Sequence, residues 1–215
     1  MPVQFQLFDD PTNGHQPRAL EGFRYQPALI GPSEEAALLS HVRELPFREF
    51  EFHGYTGKRR VVSFGWQYDY TGRRLRKADD IPDFLLGLRE LAASFAHLEP
   101  LALQQALVTE YQPGTGIGWH TDKPQFGEVI GVSLLSLCVL RFRRKLRGDP
   151  ALGLGGSKQW ERVNVLAERC SAYHLSGPAR SVWQHSILRV DALRYAITFR
   201  NVLEAEGGRA STATR

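Results

Sequence analysis

The residues best suited to chemistry lie in the second half of the chain. His120-Thr121-Asp122 comes first. If this stretch is extended, positions 120 and 122 point to one face, within reach of a single metal ion. That spacing alone is a weak signal in a chain with seven histidines. His185, in the strand-like run SVWQHSI, offers a third ligand. Two histidines and one carboxylate form the facial triad of non-haem Fe(II) oxygenases, which leaves positions open for cosubstrate and oxygen. Taken by itself, His185 also reads as a hydrogen-bonded core histidine. His97-Leu98-Glu99 repeats the spacing at the end of a helix, where i and i+2 face different ways, so chelation is not expected there.

Downstream, RYAITFR from Arg194 to Arg200 alternates polar and apolar residues, which puts both arginines on one face. On a straight strand their Cα atoms lie roughly 20 Å apart. Two long guanidinium arms reaching inward would bracket a small dicarboxylate. On an edge strand they would be a pair of surface arginines.

These groups need a scaffold. After about residue 100, the runs QALVTEY, VIGVSLLSL, VLRFRR, ERVNVL, SAYHLS, SVWQHSI and LRYAITFRNV read as strands. Turns at PGTG, GDP, GLGG and SGP separate them. Many short, evenly spaced strands favour a sandwich or barrel over βαβ units. Residues 1–32 are proline-punctuated and predicted irregular. A first helix is predicted from an N-cap at Ser33, with Leu38, Leu39, Val42 and Leu45 at helical spacing and Pro46 as the stop. REFEFHGY and VVSFGWQYDY predict a hairpin region. A second helix opens near Pro82, with Phe84, Leu85, Leu88, Leu91, Ala92 and Phe95 as its apolar stripe. The tail EAEGGRASTATR is polar and expected to fray.

Length and composition bound the class. The 215 residues suit one integrated domain, divided into an N-terminal extension (1–99), a strand-rich core (100–204) and a tail (205–215). A hydrophobic share of 42% and a charged share of 23% exclude wholesale disorder. No apolar run approaches the roughly 18 residues of a membrane span. Only Cys138 and Cys170 are present, so no disulfide framework is expected. The start MPVQFQLFDDPTNG has neither a basic nor an apolar signal region, so a cytoplasmic location is expected. The net charge is +4, with basic residues clustered at Lys58–Arg60, at Arg73, Arg74, Arg76 and Lys77, and at Arg141, Arg143, Arg144, Lys145 and Arg147. Such clusters either track phosphates or form a solvated face.

The order of motifs EYQPGTGIGWHTD, IGVSLLS, LSGPARSVWQHSI and LRYAITFR resembles the AlkB family of Fe(II)/2-oxoglutarate dioxygenases. The likeness spans most of residues 100–202. It extends to RRVVSFGWQYDYTG, which resembles that family's nucleotide-recognition segment. The resemblance implies an α+β, mainly β fold: a double-stranded β-helix (jelly roll) preceded by two helices and a β-hairpin nucleotide-recognition lid. It implies that His120, Asp122 and His185 bind Fe(II). Arg194 would pair with the distal carboxylate of 2-oxoglutarate, Arg200 would lie near its metal-bound end and near Asp122, and Tyr111 would hydrogen-bond it. Where the family has asparagines this chain has Thr109 and Ala196, and Pro124 replaces an acidic base-reading residue of the best-known repair member.

The activity implied is oxidative demethylation of alkylated DNA or RNA bases, consuming O2 and releasing formaldehyde, succinate and carbon dioxide. The substrate would be a flipped or single-stranded nucleotide. Tyr68 and Tyr70 share a face and are candidates to hold the base, with Arg60 beside them; ordinary hairpin packing would also place them so. Trp183 is expected to line the cavity with His185, and Trp119 to point away into packing. An Arg141/Arg143 stripe would face solvent or a groove. A protein or lipid substrate, or a nucleic-acid-binding module without turnover, are the alternatives. If Arg59, Arg60, Arg74 and Arg143 do not converge around the iron cleft, the nucleic-acid reading is weakened.

Overall fold

The computed structural model describes residues 20–52, 55–146 and 160–203. The predicted turns at GDP and GLGG, Arg147, the tail and most of the proline-rich start lie outside the described residues. Strands are numbered in chain order. The larger sheet is antiparallel, in the order β1 (Phe23–Gln26), β11 (Ala172–Leu175), β8 (Phe126–Leu134), β13 (Arg194–Val202), β6 (Gln105–Tyr111), β3 (Tyr55–Phe64) and β2 (Arg48–Phe52). The smaller sheet runs β10 (Trp160–Ala167), β9 (Cys138–Lys145), β12 (Gln184–Ile187) and β7 (Ile117–His120). Together they form the jelly roll. A separate hairpin pairs β4 (Trp66–Asp69) with β5 (Arg74–Lys77). The helices are α1 (Pro32–Val42), α2 (Leu86–Ala96) and the short α3 (Gly177–Ser181).

Alternation along the central strands builds two cores. On β8, Ile130, Val132 and Leu134 face α1 and α2, while Val129 faces the smaller sheet. On β13, Tyr195, Ile197 and Phe199 join the helical side and Ala196 the inner side. Leu88, Ala92 and Ala93 of α2 and Leu38, Leu39 and Val42 of α1 cover the outer face of the large sheet. Each fully buried large apolar side chain there contributes roughly 1.5–3 kcal/mol, so the functional side chains on the inner face stand on a fixed floor.

Local differences from the sequence reading have simple causes. A strand, β1, occurs within the stretch predicted irregular, because its four residues pair with β11 at the sheet edge. Helix α1 begins two residues early, with Pro32 in its first turn and Gly31 rather than Ser33 as N-cap; the Glu34 carboxylate accepts from the Gly31 N–H at 2.7 Å. Leu91 is 38% exposed and leaves the α2 stripe, while Ala93, outside the predicted stripe, is buried beside Ala92. The β2–β3 hairpin joins the large sheet, because β3 pairs with β6. The chain then turns at Gly65 (φ 71°), where a Cβ would sit 2.0 Å from the Gln104 carbonyl oxygen, and enters the β4–β5 hairpin. None of the described helices is long and apolar enough to cross a membrane.

Candidate active site

Strand register brings two of the candidate ligands together. His120, the last residue of β7, is paired with His185 of β12, and their ring centroids are 4.2 Å apart. His120 Nδ1 lies 2.9 Å from the Gly118 carbonyl oxygen. A carbonyl only accepts, so Nδ1 carries the proton and Nε2 keeps its lone pair. Asp122 follows just beyond the strand, with Oδ2 3.6 Å from His185 Nε2. Its Oδ1 accepts from Arg200 Nη2 at 3.1 Å, and Arg200 Nη1 donates to Gln105 Oε1 at 3.0 Å.

The protonation states suit metal binding. Burial pushes the His185 pKa down to about 4, against the opposing pull of Asp122. Burial also lowers His120. Burial alone would raise Asp122, but Arg200 and the two histidines overcome it and hold the carboxyl well below its usual range. Near neutral pH the site therefore presents two neutral imidazoles and a carboxylate, the forms that ligate a divalent ion. Among the described residues, no three His, Cys, Asp or Glu side chains are already closed on one metal-sized point; these three meet as pairs. Asp122 Oδ2 is buried with no hydrogen-bond partner among the described residues, an acceptor left open for a cation.

A second unpaired group lies at the other end of β13. Arg194 is fully buried, and its Nε donates to Ser133 Oγ at 3.1 Å. Its guanidinium lies 5.0 Å from the centre of the Tyr111 ring, yet among the described residues Nη1 and Nη2 have no hydrogen-bond partner. A buried cation with two idle donors is costly unless an anion joins it. The donor set therefore fits a bound carboxylate. Thr109 and Ala196 are cross-strand neighbours on β6 and β13, so the two departures from the family pattern fall at one spot on this floor. Gly131 keeps the floor open for Tyr173: a Cβ there would lie 2.2 Å from the tyrosine ring.

Above the floor opens a cavity of about 1570 Å³. It exceeds the roughly 300–1,000 Å³ of a single small-molecule pocket, which leaves room for a cosubstrate and a substrate together. His120, Asp122, His185, Tyr111 and Arg200 line it, as do Tyr68 and Tyr70.

Other candidates fall elsewhere. Trp183 is 1% exposed and packs in the core under Arg144 rather than on the cavity wall. It precedes β12, so strand alternation counted back from His185 does not reach it. Arg60 turns outward and grips Glu110 with two donors, at 2.7 and 2.9 Å; its neighbour Arg59 lines the cavity instead. Of Arg59, Arg60, Arg74 and Arg143, only Arg59 is on the lining, although Arg48, Arg73, Arg76 and Lys123 are there too. Trp119 is not sunk in packing: it is half-buried, with Arg141 and Arg143 stacked over it at 4.8 and 4.4 Å.

Sequence reasoning also missed Arg180. This buried residue donates to the carbonyl oxygens of Gly127, Lys123 and Phe126 at 2.6–2.7 Å, clamping the loop that follows Asp122. Its only sequence signal is its place in the motif ARSVWQH.

Neutral imidazoles beside a carboxylate bind divalent metal, and an idle buried guanidinium calls for an anion; on a jelly roll, this pairing points to the non-haem iron oxygenases. The chain belongs to the 2OG-Fe(II) oxygenase superfamily, whose family model matches residues 22–209. It is thus an oxidoreductase that uses Fe(II), 2-oxoglutarate and O2. Curated proteins give no significant sequence match. The fold is AlkB-like: it matches the solved structure of OsALKBH1 with a TM-score of 0.60 at 14% identity, over 88% of this chain and 100% of that one. It also matches SnoN, a non-heme alpha-ketoglutarate-dependent epimerase from nogalamycin biosynthesis, with a TM-score of 0.53 at 16% identity, over 84% of this chain and 78% of that one.

Proposed function

We propose that the protein demethylates N-alkylated bases in DNA or RNA, with His120, Asp122 and His185 holding Fe(II) and Arg194, Tyr111 and Arg200 positioning 2-oxoglutarate. The observation that carries this reading is the lining beside the iron site. Tyr68, Tyr70 and Phe50 supply aromatic rings with Arg59 and Lys123 lying against them, and Arg48, Arg73 and Arg76 add positive charge. Aromatic rings take an unstacked base, and cations take the backbone that carries it. The AlkB-like fold of OsALKBH1 supports the same class.

Each group of the chain has a definite task. Asp122 stays ionised because Arg200 holds it, and Arg180 fixes the loop behind it. His120 is locked in one tautomer by the Gly118 carbonyl. The two idle donors of Arg194 would seize a carboxylate deep in the fold, and the apolar surroundings of Tyr111 and Tyr173 keep water from competing. Bound iron and 2-oxoglutarate supply the oxidation: O2 is consumed, succinate and carbon dioxide form, and the oxidised N-methyl group leaves as formaldehyde.

The test is formaldehyde release from single-stranded DNA and RNA oligonucleotides carrying a panel of N-methylated bases, with Fe(II), 2-oxoglutarate and ascorbate. Release that depends on 2-oxoglutarate from at least one base supports the reading. No release from any base, by protein that still converts 2-oxoglutarate to succinate, would overturn it in favour of another substrate class.

A further inference from the structure

The aromatic faces beside the cavity already carry the protein's own cations. The Arg59 guanidinium lies 3.7 Å from the centre of the Phe50 ring. Lys123 Nζ lies 4.9 Å from the Tyr68 ring and 5.0 Å from the Tyr70 ring. The three rings interlock edge to face, Phe50 on Tyr70 at 5.4 Å and Tyr68 on Tyr70 at 4.9 Å. All five residues line the same cavity.

The carboxylates of this lining are engaged or peripheral. Asp122 Oδ1 is held by Arg200, and its open Oδ2 is the atom the iron of the proposed site would take up. Asp69 pairs with Arg76 and accepts from the Thr71 and Gly72 N–H groups of its own turn. Glu49 and Asp79 are exposed. Among the described residues, none forms an ion pair with Arg59, which is half-buried.

Alkylated bases fall into two electrostatic groups. 1-Methyladenine and 3-methylcytosine carry a delocalised positive charge at neutral pH. 3-Methyluracil, 3-methylthymine and 1-methylguanine are neutral and present carbonyl oxygens. A site for a cation offers bare ring faces or an unspent carboxylate. Here the ring faces hold Arg59 and Lys123, so a cationic base would have to displace one cation and lie against the other. A neutral base meets no such repulsion, and its carbonyl oxygens can accept from a guanidinium or ammonium.

Resting on the nucleobase reading above, we propose that the substrate is a neutral, carbonyl-bearing N-alkylated base, and that Arg59 and Lys123 select it by excluding cationic bases and donating to the carbonyl oxygens.

The test uses two single-stranded oligonucleotides of one sequence, differing only in 3-methyluracil against 3-methylcytosine. Both methyl groups sit on N3, so charge and the exocyclic group are the variables. Formaldehyde release gives kcat/KM for the full chain with iron and 2-oxoglutarate. Fluorescence anisotropy of the metal-free protein gives affinity without turnover. The neutral base is expected to lead by about tenfold or more in both, the ratio one like-charge contact of ordinary size produces. In Arg59→Gln, and separately in Lys123→Gln, that ratio is expected to fall toward one. Two variants keep the test open if one fails to fold. Equal or preferred handling of 3-methylcytosine by the wild type would overturn this proposal while leaving the nucleobase reading intact. An unchanged ratio in both variants would overturn the roles of Arg59 and Lys123. If no methylated base of the wider panel releases formaldehyde, the nucleobase reading falls and takes this proposal with it.

Discussion

The floor and the wall of the cavity handle polar groups in opposite ways. On and beneath the floor, polar atoms are buried and left waiting: among the described residues, Asp122 Oδ2 and both terminal nitrogens of Arg194 have no hydrogen-bond partner. On the wall, polar and aromatic groups are half-exposed and satisfy one another, with Arg59 on Phe50 and Lys123 on Tyr68 and Tyr70. Unpaired buried charge costs stability, so it persists where a partner of fixed chemistry arrives at every cycle. Self-satisfied, solvent-accessible contacts suit a surface that meets its partner only transiently. On the function proposed above, the floor would serve an invariant reagent and the wall selection.

The largest effect is expected at the floor. His185→Ala leaves one imidazole and a carboxylate, too few ligands for the triad, and turnover should fall below detection. His185 is neutral in the fold and has little ionic role, so circular dichroism should report a folded protein. Retained 2-oxoglutarate-dependent activity would break the ligand assignment. Arg194→Met comes next. It removes a charged donor pair from a carboxylate, worth about 1.5–3 kcal/mol, so KM for 2-oxoglutarate should rise about 10- to 100-fold. Substrate affinity measured without 2-oxoglutarate should not change. A shift in both would merge floor and wall and break the comparison.

Arg180→Gln probes the support beneath the floor. Loss of its grip on the Lys123, Phe126 and Gly127 carbonyls should weaken Fe(II) binding by about tenfold, the low end of what supporting groups contribute. Titration of Fe(II) with tyrosine or tryptophan fluorescence reads this directly. A change in oxidation rate at saturating iron, with affinity intact, would assign Arg180 a different role.

The same contrast explains what could be read from the chain. Floor residues were legible because each signal is local. His120 and Asp122 are two apart near a strand end, and Arg194 and Arg200 share a strand face by simple alternation. The wall depends on where the chain bends. Arg59 and Arg60 look alike in a basic cluster, and which one faces inward follows from the register of β3 against β6, where Arg60 meets Glu110. The register slips between Glu49 and Phe50 of β2, which pair with Arg60 and Gly57, so Lys58 and Arg59 of β3 have no partner on β2. Trp183 was misplaced because α3 ends just before it and resets the alternation that begins at Gln184. Trp119 was misplaced because Arg141 and Arg143, not an apolar layer, cover it. Arg180 stands in the motif ARSVWQH, but its role was not legible because its partners are main-chain carbonyls more than 50 positions away.

The smallest expected effect lies behind the wall, at the pair that keeps Arg60 out of the cavity. Glu110 is buried and accepts from Arg60, from Gln112 at 3.0 Å and from the Tyr195 hydroxyl at 3.1 Å. Burial alone would raise its pKa, but these donors and the Arg60 charge hold it below the ordinary value. A carboxylate with a depressed folded pKa stabilises the fold above its unfolded pKa, and that contribution is lost as pH falls through the folded value. Glu110→Gln should therefore cost about 1–2 kcal/mol near neutral pH, a low figure because the Arg60 side chain is 46% exposed and its charge is screened. The gap between wild type and variant in urea denaturation should narrow below about pH 4 and close once the wild-type carboxyl is protonated. KM for the oligonucleotide should stay within about twofold, since the pair sits on the outer face of β3 and β6, away from the cavity. A large rise in that KM would mean that the outer pair sets the position of Arg59 through β3, and floor and wall would then be mechanically coupled.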